Sequence, residues 1–255
     1  TTEQADQTIT LSRSQPYFDA SLPTALSGAS VTVESSSGQI FDFVEQNSGE
    51  YTWSAGVDSL GPVGTSFTLN ISINGTNLMA TSTANRVPAI DSIGQEFEEE
   101  SLGEPAGIRT NFYARDPLGF GDTYWIKTYK NDQYLGKPEE LNIAYDAGFD
   151  AGGQVDGLIY IPPIRSLTNP VGEDDDDETP PWKTDDRIKV EIHSISNDAF
   201  FFLETARDQI TNGDNGLFSI PLANTKGNVV DQSTGETILG VFNVAVVSKI
   251  EDVIQ

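Results

Sequence analysis

The chain has no cysteine, one histidine and one methionine among its 255 residues. The missing cysteines exclude disulfide staples, thiolate metal sites and cysteine nucleophiles. A single histidine, His193, leaves no second imidazole for a shared metal and only one candidate for a nucleophilic triad. Basic residues are scarce too: 14 Lys and Arg stand against 39 Asp and Glu, giving a formal charge of −25. Phosphate backbones and anionic headgroups would be repelled by such a chain, so neither nucleic acid nor a lipid surface is an expected partner. Cationic ligands, divalent metals and basic protein patches remain compatible. No apolar run reaches the roughly 18 residues that a membrane-spanning helix needs. The chain opens at Thr1 without an initiator methionine, which reads as a processed or trimmed start.

What is present is enough for a core. Hydrophobic residues make up 37% of the chain, an ordinary share for a globular protein once glycine is added. The first third reads as short strands between turns: Thr8 to Ser14, a strand through Val31 and Val33, Ile40 to Glu45, and another from Tyr51 and Trp53. Phe67, Leu69, Ile71 and Ile73 share one face at period two, and Asn74-Gly75 then supplies the positive-φ pair of a tight hairpin. Regular turn signals point to a β-sandwich of the immunoglobulin or transthyretin kind over 1–88. Residues 89–255 read as a second, β-rich domain with an acidic loop and one main helix.

In that second part, strands are expected at Phe112 to Arg115, Tyr124 to Tyr129 and Leu158 to Ile161, the last ended by Pro162-Pro163. Arg187 to Ile192 alternates, with Ile188, Val190 and Ile192 inward and Lys189 and Glu191 outward. A helix is predicted over Asn197 to Asn212, capped by Ser196 and striped with Ala199, Phe202, Leu203, Ala206 and Ile210. Thr237 to Val247 reads as one long apolar strand.

Few residues carry a chemical signal. His193 next to Ser194 reads as a structural or surface histidine. Acidic residues are everywhere, yet no motif singles out the carboxylate pair that glycoside hydrolysis needs. Gly119-Phe120-Gly121 and Gly152-Gly153 lack the Lys-Ser/Thr ending of a phosphate loop and read as turns. The run Asp174 to Asp177 has the oxygens for calcium, but consecutive side chains do not converge, so a solvated loop without a bound ion is expected. Asp146, Asp150 and Asp156 form a weaker version of the same pattern. Trp182, beside Pro180-Pro181 in a polar stretch, is the best candidate for a sugar platform. The reading is of a protein that is not an enzyme and needs no cofactor.

Several phrases then fall into a known order. Thr10-Leu11-Ser12-Arg13-Ser14 leads to Gly28-Ala29-Ser30-Val31-Thr32-Val33, Gly49-Glu50-Tyr51 and Val87-Pro88-Ala89-Ile90-Asp91-Ser92-Ile93. Ser194-Ile195-Ser196, Pro221-Leu222-Ala223-Asn224 with Asn228, and Leu239-Gly240-Val241-Phe242 follow. The ordered set resembles the Bacteroidota family called domain of unknown function 4249, over nearly the whole chain. The resemblance implies a lipid-anchored protein of the outer membrane and cell surface. The partner it implies is a SusC-like TonB-dependent β-barrel transporter, with this chain as accessory subunit. The lipidated cysteine and first strand that members carry ahead of Leu-Ser-Arg-Ser are missing here, so the anchor is an implication of the resemblance alone. A free-standing binder of carbohydrate or peptide is the alternative. Asp58-Ser59-Leu60 and Asp91-Ser92-Ile93 resemble the O-glycosylation acceptor of exported proteins of that phylum, making Ser59 and Ser92 candidate sites. The acidic surface predicts a partner interface that salt weakens.

Overall fold

The computed structural model describes residues 1, 5–16, 19, 21–54, 60–101, 104–145, 157–172, 180–212 and 225–255. The chain forms two compact units, and it is mainly β in both. The first comprises Thr1–Asn85 and Asn224–Val246, the second Arg86–Ala223 and Val247–Gln255. The crossing at Asn85/Arg86 lies close to the border expected at residue 88. Residues 224–246 return to the first unit, whereas the sequence pattern places all of 89–255 in the second.

In the first unit, β1 (Gln7–Thr10), β2 (Ser30–Ser35), β3 (Ile40–Asn47), β4 (Glu50–Trp53), β5 (Ser66–Ile73) and β6 (Thr76–Thr83) are joined by β13 (Val229–Asp231) and β14 (Thr237–Ile238). They form one antiparallel sheet in the order β1-β4-β3-β2-β5-β6-β13-β14, curled around a single core as a sandwich. Val31, Val33, Phe41, Phe67, Leu69 and Ile71 point inward at period two because register with their neighbours keeps them on one face. Each contributes about 1.5–3 kcal/mol by leaving water. Asn74 (φ 50) and Gly75 (φ 82) make the tight turn between β5 and β6.

The quoted family phrases have physical roles here. The buried Tyr51 hydroxyl accepts from Ala29 N and donates to Leu26 O, both at 2.9 Å. Gly49 (φ 73) passes so close to Leu11 that a Cβ would lie 2.5 Å from the Leu11 carbonyl oxygen. Glu45 accepts from Gly28 N and Gly49 N, closing the same knot.

The apolar run near the C-terminus is not one strand. β14 ends at Ile238, and β15 spans Val247–Val253 in the other unit. Between them Val241 to Val244 run with alternate residues buried but outside any strand. Side chains replace the ladder. Phe242 N donates to Asn228 Oδ1 at 2.8 Å, Asn228 Nδ2 donates to Phe242 O at 2.9 Å, and Val244 N donates to Ser82 Oγ at 2.9 Å.

The second unit has a five-stranded antiparallel sheet. Its path is β10 (Gln133–Tyr134), β9 (Thr123–Lys130), β12 (Arg187–Ile195) and β15, with β11 (Asn142–Tyr145) also on β9. A hairpin of β7 (Ile90–Glu98) and β8 (Gly107–Ala114) shares its core, which gathers Phe112, Tyr124, Ile126, Tyr160, Ile188, Val190 and Ile192. The acidic Glu96 to Glu98 end of β7 is exposed, which hid this strand from a reading based on apolar alternation.

Three expectations change here. Leu158 to Ile161 is no strand but a single bridge, Arg115 to Ile159, and Pro162-Pro163 open the short helix α1 (Pro162–Ser166). Proline suits a first helical turn, where its missing N–H is not needed. Helix α2 (Asn197–Asn212) stands where predicted, with Ala199 N donating to Ser196 Oγ at 3.2 Å. Its stripe is shifted: Phe200 is buried against Tyr145, while Ile210 is exposed. Among the described residues, no helix is long and apolar enough to cross a membrane.

Candidate functional site

Trp182 is 2% exposed, so it is a core residue and not a sugar platform. Its backbone N–H donates to Ile108 O at 2.9 Å, which draws the polar Pro180–Lys183 segment onto the β7–β8 hairpin. Asp146, Asp150, Asp156, Gly152-Gly153, Asp174 to Asp177, Asp58 and Ser59 lie outside the described residues. Ser92 is exposed on β7, directly after an irregularity in the ladder between Ile90 and Ser92, and pairs with Tyr113.

Lys189 and Glu191 do not face open water as expected. With His193 they share one sheet face with Trp125, Lys127 and Tyr129 of β9, and Glu191 and His193 are buried there. Glu191 binds His193 Nε2 at 2.9 Å and Lys189 Nζ at 2.8 Å, and accepts from the Tyr129 hydroxyl at 3.2 Å. Burial works against its charge, but the His193 and Lys189 partners outweigh that and hold the carboxyl down at about 2. Burial pushes the Tyr129 phenol up to about 12, with the Glu191 charge adding to it. His193 is held below its ordinary range by burial, against the pull of Glu191, and so stays neutral near pH 7. Lys127, with its ammonium 4.0 Å over the Trp125 ring, is also lowered by burial. Glu191 is thus fully engaged by His193, Lys189 and Tyr129, and the lone histidine is a structural member of that network.

A second feature of this unit is presented outward. The loop between β8 and β9 reads Arg115-Asp116-Pro117-Leu118-Gly119-Phe120-Gly121-Asp122. Its base is fixed at both ends. Asp116, buried, accepts from the Tyr124 hydroxyl at 3.0 Å, and its N–H donates to Leu158 O at 2.8 Å. At the other end the Arg86 guanidinium donates to both oxygens of Asp122 and to Gly119 O at 3.1 Å. That fork raises the guanidinium further above its ordinary range, chiefly through the Asp122 bond. Gly119 takes φ 113 against the guanidinium, where a Cβ would meet Arg86 Nη2 at 2.9 Å.

On this clamped base, Leu118 is 74% exposed and Phe120 69%. The adjoining segment is bonded to the same base: Arg115 Nη1 donates to Gly157 O at 3.0 Å, and Leu158 and Ile159 are also exposed. A Cβ on Gly157 would lie 2.7 Å from a Leu118 methyl, so the two segments abut. No charged side chain lies between Asp116 and Asp122. Large apolar side chains grouped in water on a rigid base are the usual makings of a protein contact. From sequence alone, Gly119-Phe120-Gly121 reads as a plain turn. The available signal was two large apolar residues spaced by glycines and bracketed by aspartates.

Fold and site together define a two-unit β protein that presents an apolar loop. The chain belongs to the family described as Domain of unknown function (DUF4249), whose sequence profile matches residues 1–251. No curated protein and no solved structure matches it.

Proposed function

We propose that the chain is a non-enzymatic accessory subunit that docks on an outer-membrane β-barrel transporter of the SusC-like, TonB-dependent class. In this reading it is a cell-surface lipoprotein, with the lipid on a cysteine upstream of Thr1. The partner class and the anchor rest on the family resemblance. The observation that carries the docking role is the pair Leu118 and Phe120, held in water on the base that Arg86, Asp122, Asp116 and Tyr124 fix. Preorganisation matters because a contact loop that is already ordered loses little entropy on binding.

In this proposal an apolar contact replaces the salt-weakened interface expected from the acidic chain. A contact centred on leucine and phenylalanine persists when salt is raised, while the −25 charge governs the rate of encounter. The alternative of a free-standing carbohydrate binder has lost its main residue, since Trp182 is buried. The test is extraction of the native chain in mild detergent, with a photo-crosslinking residue at position 120. Crosslinking to a transporter-type barrel supports the proposal. Migration of the native chain alone, with no crosslink, overturns it.

A further inference from the structure

The two large side chains of the β8–β9 loop are not presented alike. Phe120 stands between two glycines in conformations that residues with a side chain rarely adopt, Gly119 at φ 113 and Gly121 at φ 96. At Gly121 an added Cβ would meet nothing within 4 Å, so conformation and not space calls for glycine there. One group holds the backbone on both sides of Phe120: the Arg86 guanidinium donates to Gly119 O and to the Asp122 carboxylate. The phenylalanine is thus carried on a frame that a single arginine closes, and it is largely in water. Leu118 instead lies against Gly157, next to the exposed Leu158 and Ile159, as part of an apolar ledge.

From this frame we infer that Phe120 is the anchor of the docking contact and enters a closed, uncharged pocket of the partner sized for one phenyl ring. The inference rests on the docking reading of the loop and adds to it the anchoring residue and the partner's chemistry. Shape selects a pocket over a flat apolar patch. A side chain largely in water is covered only by a concave surface, because a plane laid on the ledge would leave part of the ring wet. Order points the same way: the backbone that carries the ring is fixed beforehand, so seating it in a fitted cavity costs little entropy. Charge completes the case. Asp116 is bonded by the Tyr124 hydroxyl, Asp122 by Arg86, and no charged side chain lies between them. An uncharged wall therefore strips water from no unpaired charge of this loop, whereas a charged wall would be desolvated against an apolar ring. A benzene ring occupies an apolar cavity of about 150 Å³, which sets the size of the pocket. A buried aromatic seated in such a pocket carries most of an interface's energy, with the ledge of Leu118, Leu158 and Ile159 as its water-excluding rim.

The test uses the full chain with a photo-crosslinking residue at position 158, in a mild-detergent extract of its native membranes. The readout is the concentration of unlabelled chain that halves the crosslink to a barrel partner, with residue 120 varied in that competitor. Phe120→Ala is expected to raise the concentration by about tenfold or more, and Leu118→Ala by less than about fivefold. Phe120→Trp is expected to raise it by about tenfold or more as well, because indole overfills a phenyl-sized pocket. Gly121→Ala keeps both apolar side chains and meets no neighbour, and is expected to weaken competition by about fivefold or more through the backbone alone. Urea midpoints of the two Phe120 variants are expected to match that of the native chain, since the position is exposed. Competition by Phe120→Trp that equals or exceeds that of the native chain overturns the inference but leaves the docking reading standing, since the contact is then flat. Retention of the chain on protein-free vesicles of the same lipids, strengthened by Phe120→Trp, overturns it in favour of a lipid surface. Absence of any crosslink to a barrel from position 158 overturns the docking reading and this inference together.

Discussion

A Cβ on Gly227 would fall 1.8 Å from the carbonyl oxygen of Gly240. The two backbones therefore touch where the returning segment doubles back, and Asn228 ties the same place by bonding both the N–H and the C=O of Phe242. Gly227→Ala is expected to destabilise the protein by about 2–4 kcal/mol, the range of a steric conflict that backbone must relieve. Urea unfolding of the two proteins side by side measures it.

Asn228→Ala removes three hydrogen bonds, including a longer one to Thr81 O at 3.3 Å. It leaves the Phe242 amide without its acceptor in a partly buried setting. A loss of about 1–3 kcal/mol is expected. Asn228→Asp should recover little, because the carboxylate accepts from Phe242 N but has no proton for the Phe242 or Thr81 carbonyls.

The Glu191–His193 pair predicts acid sensitivity with a definite sign. Glu191 sits at about 2 in the folded chain, below its ordinary 4.5, so the unfolded chain binds the proton more tightly. Its stabilisation is complete above about 4.5 and is lost as pH falls towards 2. His193 is also lowered, from 6.5, so protonating it favours unfolding as pH drops below that value. Both act in one direction, and stability measured from pH 7 down to 3 should fall. In Glu191→Gln the Glu191 share of the limb below 4.5 should vanish, while stability at pH 7 drops by about 1–3 kcal/mol.

Leu118→Ser with Phe120→Ser should leave folding stability within about 0.5 kcal/mol, since both side chains are largely in water. The same double variant should no longer extract with a barrel partner. Arg86→Ala removes the clamp on Gly119 and Asp122 while keeping both apolar side chains. It should speed amide hydrogen exchange between Pro117 and Asp122 and weaken partner capture less than the double serine variant does.

Ser92 is exposed on β7 and open to a modifying enzyme. If it carries the sugar that its Asp-Ser-Ile setting suggests, the intact mass of natively expressed protein exceeds the bare polypeptide and Ser92→Ala lowers it by one glycan. A native mass equal to the polypeptide removes the idea.

Local patterns were legible in the sequence, and long-range ones were not. The β5–β6 hairpin could be read because period-two burial and Asn74-Gly75 are both local facts. Helix α2 could be read from Ser196 and its apolar residues, although which side it buries depends on Tyr145, some fifty positions away. Trp182 was misplaced because its neighbours are polar, while its burial comes from a bond to Ile108 on a distant hairpin. The run from Leu239 to Val247 looks like one strand because apolar alternation says nothing of what the backbone bonds to. Here side chains of Asn228 and Ser82 take that role, and the run divides between two units. The β8–β9 loop escaped for the opposite reason. Its exposed leucine and phenylalanine break the rule that large apolar residues go inside, and only three-dimensional exposure reveals the breach.

The chain's late return has a consequence for biogenesis. Residues up to Val246 complete the first unit, and β15, up to Val253, completes the sheet of the second. A polypeptide made from its N-terminus therefore cannot finish the first unit before Val246, or the sheet of the second before Val253, has emerged. Until then β6 lacks β13, β12 lacks β15, and apolar strand surface stays open to other chains. Holdase chaperones would have most to protect during that interval. Removing residues 224–255 would take strands from both units together.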